Sequence, residues 1–291
     1  MTFTAGDDKP ASPGVVHLGA AGTSLVLDAT GDRLPRVVYW GADLGQPTEA
    51  ELADLVRAAR PPVVSNSIDD PLPVGVLAEA ATGWAGTPGI AGSRAGRAFS
   101  PLFTKTAVDL TAEGTLITTA QDVAAGLALE LRVALSPSGV VRLDATVTNI
   151  GGDDYGLDSL TLNLPVPANA RELLDFTGRH LRERAPQRHP FTLGSHVRSG
   201  RRGRTGLDAT LLVLAGEPGF GFRRGEVWGV HTAWSGNHTT YAERDAAGVA
   251  ILGGGEILLP GEVILAPGES YACPTLMGSH GDGPDSSSSP S

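Results

Sequence analysis

Apolar and polar positions alternate with period two through the middle of the chain. Leu127, Leu129, Leu131, Val133 and Leu135 alternate with Ala128, Glu130, Arg132 and Ala134. After Ser136-Pro137-Ser138-Gly139, Val141, Leu143, Ala145 and Val147 alternate with Arg142, Asp144, Thr146 and Thr148. Successive side chains of a strand point to opposite faces, so each arm has one apolar face. Two such arms joined by a Pro-Gly turn predict a long antiparallel hairpin. Leu160, Leu162 and Leu164 continue the pattern, and 105–164 reads as all β. Shorter runs predict strands from Val15, over 24–28 and 37–40, and again over 210–215, 226–234, 238–244, 248–252 and 256–265.

One segment has helical period. Thr48-Glu49-Ala50-Glu51 has the form of a capping box, in which the Thr48 hydroxyl accepts from the Glu51 amide and Glu51 reaches back. Leu52, Leu55, Val56 and Ala59 then form an apolar stripe. Arg57 and Arg60 suit the negative end of a helix, and Pro61-Pro62 stops it.

Long arms with one apolar face need a second sheet to cover them. The fold expected is all-β: one large antiparallel β-sandwich, a supersandwich, over residues 13–277, with one short helix near 48–60. The polar ends, 1–12 and 278–291, read as disordered. No repeat of propeller or solenoid length is visible.

Composition narrows the function. Twenty-two basic against 32 acidic residues give a net charge of −10, which opposes binding to nucleic acid. No apolar run approaches the ~20 residues of a membrane span. The first residues lack a signal-peptide pattern, so cytoplasmic location is the default expectation. The single Cys273 allows neither a disulfide nor a thiolate metal site. No Walker loop, strand-linked GxGxxG, GxSxG or HExxH occurs, and no cofactor or metal is expected. Asp69 and Asp70 are adjacent carboxylates; in an extended segment they point to opposite faces and make a poor acid/base pair.

Three segments have a composition that suits a site. Residues 77–94 place Trp84 among Gly83, Gly86, Gly89 and Gly92 and end on Arg94. A Trp on a projecting loop offers a flat apolar face to a sugar ring, and Arg94 a fork of donors to hydroxyls. The other reading is a surface loop whose Trp plugs a core gap. Residues 171–204 hold nine Arg against Glu172, Asp175 and Glu183. That excess reads as pairing with carboxylates here or on a partner, or as a solvated loop. Residues 228–238 carry Trp228 and Trp234 at even spacing, which in a strand puts both rings on one side. The turn Ser235-Gly236-Asn237 follows. His231 and His238 match no metal-ligand spacing.

These segments, in this order, resemble the N-terminal domain of family 36 α-galactosidases. That family has an LPEHxxGWxGxPGLxGHR-type loop, GRWxRERxPQR and SRRGRTGHD stretches, a WGxHLAWSGNH strand-turn and a GGELLLPGEVxLxPGESYxTP ending. The counterparts here stand at 77–94, 178–188, 199–208, 228–238 and 254–274. Four positions depart from the pattern: Ala78 replaces Pro, Ser93 replaces His, His180 replaces Trp and Leu207 replaces His.

The resemblance implies a (β/α)8 barrel that supplies both catalytic carboxylates, about 5–5.5 Å apart in a retaining enzyme. Nothing in this chain resembles the KxD-type motif of that barrel. The expectation is an auxiliary domain, inactive alone, whose partners are the missing barrel or a homo-oligomer neighbour and an α-galactoside such as melibiose or raffinose. Trp84, Arg94, Trp234 and Asn237 are the expected sugar-contacting residues, with the 84–94 loop reaching a neighbour's site. A free-standing carbohydrate-binding module and a truncated pseudogene product are the alternatives.

Overall fold

The computed structural model describes residues 14–61, 63, 65 and 73–283. Strands β1 (Val15–Ala20), β2 (Thr23–Asp28) and β3 (Arg36–Ala42) form a small antiparallel sheet. Helix α1 (Glu49–Ala58) follows, with both halves of the capping box made. Strand β4 (Ile90–Ser93) leads to a meander of β5 (Thr104–Leu110), β6 (Thr115–Asp122), β7 (Leu127–Leu135) and β8 (Val141–Asn149).

The remaining strands are β9 (Tyr155–Leu160), β10 (Leu162–Pro165), β11 (Glu172–Arg179), β12 (Arg182–Pro190), β13 (Gly194–Gly200) and β14 (Leu212–Gly216), then β15 (Gly225–Thr232), β16 (His238–Arg244), β17 (Ala250–Glu256), β18 (Val263–Leu265), β19 (Ser270–Ala272) and β20 (Leu276–Gly283). Ten strands make the main sheet, in the order β12-β11-β14-β15-β20-β8-β7-β6-β5, with β19 also paired to β8. A four-stranded sheet, β10-β17-β16-β13, faces it, and β18-β9-β4 form a third layer piece. All pairings are antiparallel, so the fold is the expected all-β sandwich.

The predicted hairpin sets the register of the core. Leu129 lies opposite Val147, Leu131 opposite Ala145 and Val133 opposite Leu143. All six are at most 2% exposed, while Glu130 and Arg132 pair with each other on the outer face. The same core takes Leu164, Ala242 and Leu252 from one sheet and Leu173, Ala215, Trp228 and Val230 from the other. Trp228 Nε1 donates to Trp40 O across 2.9 Å, joining the first sheet to the main one. A side chain at Gly278 would overlap Leu164 and Trp40, so close packing there requires glycine.

Four features differ from expectation. The Arg-rich segment contains strands β11, β12 and β13, which its composition concealed. Strand β12 is an edge with no buried residue, so it carries no apolar period. Strand β15 ends at Thr232, which leaves Trp234 outside it. The expected strand over 256–265 is broken by a turn in which Glu262 N donates to Leu259 O. At the C-terminal end β20 pairs with β15 as far as Gly283, beyond the expected edge at 277. The predicted disordered start at 1–12, the Asp69-Asp70 pair and residues 284–291 lie outside the described residues.

Candidate functional site

The glycine-rich loop is built inward. Gly83 adopts a left-handed conformation (φ 89°) and turns the chain toward the core. Trp84 is then 8% exposed, packed with Ala78, Tyr241 and Ile251. Its Nε1 donates to Thr87 O at 3.2 Å. Thr87 is held in turn by Glu243, a buried residue of β16: its amide donates to Oε2 at 2.8 Å and its hydroxyl to Oε1 at 2.5 Å. Ser195 Oγ donates to the same carboxylate. A Cβ at Gly86 would overlap Glu243 Oε2 and approach the Trp84 ring to 2.6 Å. The glycines therefore bring the backbone onto the core, and the expectation of an open Trp84 face is corrected to a packed one.

Arg94 is likewise buried, at 8% exposure. Nε donates to Ala125 O, Nη1 to Asp153 O and Oδ1, and Nη2 to Gly126 O and Asn149 Oδ1. All five guanidinium N–H groups are thus used within the chain. The side chain clamps the β6–β7 and β8–β9 connections and has no donor left for a sugar. The expected surface role is replaced by an anchoring one.

What Arg94 anchors does project. Arg94 and Arg97 pair backbone to backbone around Ala95-Gly96. Ala95 and Ala98 both have positive φ (47° and 55°), a strained conformation for non-glycine residues. Arg97 is exposed and Phe99 is 72% exposed. The exposed aromatic of this region is Phe99, which lies beyond the motif that drew attention to the loop.

The other expected residues stand at the surface. Trp234 is 38% exposed, while Trp228 is buried, so the two rings do not share a face. The indole edge lies against Gly236, where a Cβ would be 2.5 Å from Nε1. Asn237 Oδ1 accepts from Gly203 N at 2.8 Å, which docks this turn on the arginine loop of residues 201–204. Arg198 and Thr177 hold the same loop through Asp208 O. Asn237 Nδ2 makes no hydrogen bond among the described residues. A flat indole beside an amide donor and the exposed Arg201 and Arg204 suits the C–H face and hydroxyls of a sugar.

Of the nine arginines, Arg188, Arg198 and Arg202 pair with Glu172, Asp175 and Asp208. Arg171, Arg179, Arg182, Arg184, Arg201 and Arg204 are exposed and form no ion pair among the described residues. His231 faces outward and His238 is wholly buried. The one group of three side chains able to share a metal among the described residues is Asp175, His189 and His196, which the sequence did not single out. No described helix is long and apolar enough to cross a membrane.

Comparison with known proteins identifies the family. An α-galactosidase of Escherichia coli is 35% identical over 212 residues, spanning 73% of this chain and 29% of that protein. The α-galactosidase AgaA of Geobacillus stearothermophilus superposes with a TM-score of 0.77 at 20% identity, over 92% of this chain and 41% of AgaA. A substituted AgaA in complex with raffinose gives 0.75 at 20% identity, over 92% and 41%. The chain thus spans well under half the length of these relatives. Residues 33–266 match the model of the glycosyl hydrolase family 36 N-terminal domain, and with so much of the chain matched, it belongs to that family.

Proposed function

We propose that this chain is the auxiliary β-sandwich of an α-galactosidase, and that hydrolysis is performed by a catalytic (β/α)8 domain outside it. The observation that carries this reading is the contrast in coverage. The family match takes in residues 33–266, while the E. coli relative is spanned only over 29% of its length. The substrates we assign to the complete enzyme are terminal α-galactosides of the raffinose type, the class named for the AgaA complex.

Within this reading the domain contributes surface. Trp234 and Asn237, docked on residues 201–204, form one contact face for sugar or for a neighbouring subunit. Phe99 and Arg97, carried by the Arg94 clamp, form a second. Trp84 and Arg94 act as positioning residues behind these faces. The exposed Trp234 face also supports the alternative of a free-standing carbohydrate-binding module.

The test has two arms. The chain alone, assayed with an aryl α-galactoside, is expected to show no turnover, because it offers no assigned pair of nucleophile and general acid. Turnover that survives repurification overturns the reading. Joined to a family 36 barrel, the domain is expected to support activity, and Trp234→Ala to lower kcat/KM several-fold with the thermal midpoint unchanged. Raffinose binding by the isolated chain, lost in Trp234→Ala, is the outcome that favours the binding-module alternative.

A further inference from the structure

Asp175, His189 and His196 come from three strands and two sheets. Asp175 lies on β11, two residues from the fully buried Leu173, so both point into the sandwich. His189 on β12 is the cross-strand partner of Leu173 and thus the diagonal neighbour of Asp175 on that face. His196 reaches across from β13 of the facing sheet. Its Nε2 is 2.7 Å from Asp175 Oδ2, and the two imidazole centroids are 4.9 Å apart. One ligand atom from each of the three residues lies within 4.8 Å of the other two.

Two of these polar groups are buried without a partner among the described residues: Asp175 Oδ1 and His189 Nε2. The Asp175 side chain is 1% exposed. A buried acceptor and a buried ring nitrogen left unpaired are each unfavourable. Arg198 Nε lies 3.5 Å from Asp175 Oδ2 and offsets part of the carboxylate charge, yet it leaves Oδ1 and the His189 ring unsatisfied. A cation between the three groups satisfies both at once.

We propose that Asp175, His189 and His196 bind a single Zn2+ ion that ties the edge of the main sheet to the facing sheet. Two imidazoles and a carboxylate match the ligand preference of zinc and not the all-oxygen preference of magnesium or calcium. Tetrahedral zinc with ligand bonds of about 2.0–2.2 Å sets its ligand atoms roughly 3.4 Å apart, so the 2.7 Å contact between His196 and Asp175 opens slightly and His189 moves in. Rotation of the His189 ring, whose Nε2 is held by no hydrogen bond, supplies that closure. Three protein ligands leave one position open, and a cleft of about 300 Å³ lined by Leu173, Phe191, Ser195 and Ala242 adjoins it for a water molecule. The ligands are 14 and 7 residues apart along the chain, so no local spacing betrays them.

The test is titration of the untagged, chelator-treated 291-residue chain with ZnCl2 by calorimetry, and with Co2+ by visible absorption. One equivalent is expected to bind with micromolar or tighter affinity, with a d–d band for Co2+ and a higher thermal midpoint on zinc addition. His189→Gln and His196→Gln should each weaken binding at least tenfold, and the double variant should abolish it with the circular dichroism spectrum retained. His280→Gln, which removes an imidazole from β20, three strands from β11 in the main sheet, should bind as the parent does. If a glutamine variant does not fold, diethyl pyrocarbonate protection of the parent by Zn2+, mapped to His189 and His196, carries the test instead. No binding by the parent overturns the proposal. So does one-equivalent binding that survives in the double variant, or zinc protection mapped to other histidines.

Discussion

At the scale of single residues, the side chains that looked most like ligand contacts are the ones the fold uses hardest. Trp84 fills a pocket formed by Ala78, Tyr241 and Ile251. Trp84→Ala is expected to destabilise the domain by about 3–5 kcal/mol, the usual cost of deleting a buried aromatic, read as a lower urea midpoint. Arg94→Lys replaces five fixed donors by three and strands several buried carbonyls; a loss of about 2–4 kcal/mol is expected by the same measurement. A variant at either site that weakens sugar contact with stability intact would contradict this packing.

Glu79 is the residue with a clear pH signature. It is buried, accepts from Phe103 N at 2.7 Å, and burial pushes its carboxyl up to about 7. The folded protein therefore holds this proton more tightly than the unfolded chain, whose Glu titrates near 4.5. Its favourable contribution is fully present below about pH 4.5 and is lost as pH rises through about 7, a change of about 3 kcal/mol. Glu79→Gln keeps an acceptor for Phe103 and removes the titration. The unfolding free energy of the Glu79→Gln variant, relative to the parent, should rise from about pH 4.5 to about pH 8. A difference that stays constant with pH would refute this.

At the scale of elements, local chemistry decides some and neighbours decide others. Helix α1 is set by its own sequence at one end: Thr48 N donates to Glu51 Oε2 at 2.8 Å, and Glu51 N to Thr48 Oγ1 at 3.3 Å. Its other end is finished by a residue distant in sequence. Arg36 on β3 donates to the carbonyls of Val56 and Ala59 while pairing with Asp28. Thr48→Ala is expected to cost about 1 kcal/mol, whereas Arg36→Ala should cost about 3 kcal/mol because it strands Asp28 and two carbonyls. Equal losses in thermal unfolding would show that the distant cap contributes no more than the local one.

At the scale of the molecule, closure of the sandwich is visible in its one thiol. Cys273 lies between β19 and β20, and its amide donates to Ala145 O of β8. Burial pushes the thiol up to about 12, so almost no thiolate exists near neutral pH. Folded protein should be inert to a disulfide reagent at about pH 8, and one thiol per chain should react after denaturation. Rapid labelling of the native protein would mean that β19 and β20 open readily. The edge strand β12 shows the converse: its Arg182 and Arg184 are exposed and form no ion pair among the described residues.

How much was legible follows from the range of each interaction. Period-two patterning determined β7 and β8 and their shared apolar face, because one-sided burial marks every second residue. The capping box determined the start of α1, because donor and acceptor are three residues apart. The order of motifs pointed to the family. Only the tertiary structure decided where the glycine-rich loop turns its tryptophan, since that depends on Glu243 and Tyr241, which lie far along the chain from it. It alone made strands of β11 and β12: β12 is an edge with no buried residue, so its charged side chains show no apolar period, and β11 is fixed by pairing with β12 and β14. It alone gathered Asp175, His189 and His196, since side chains on separate strands meet through strand pairing and sheet stacking, which leave no spacing in the chain.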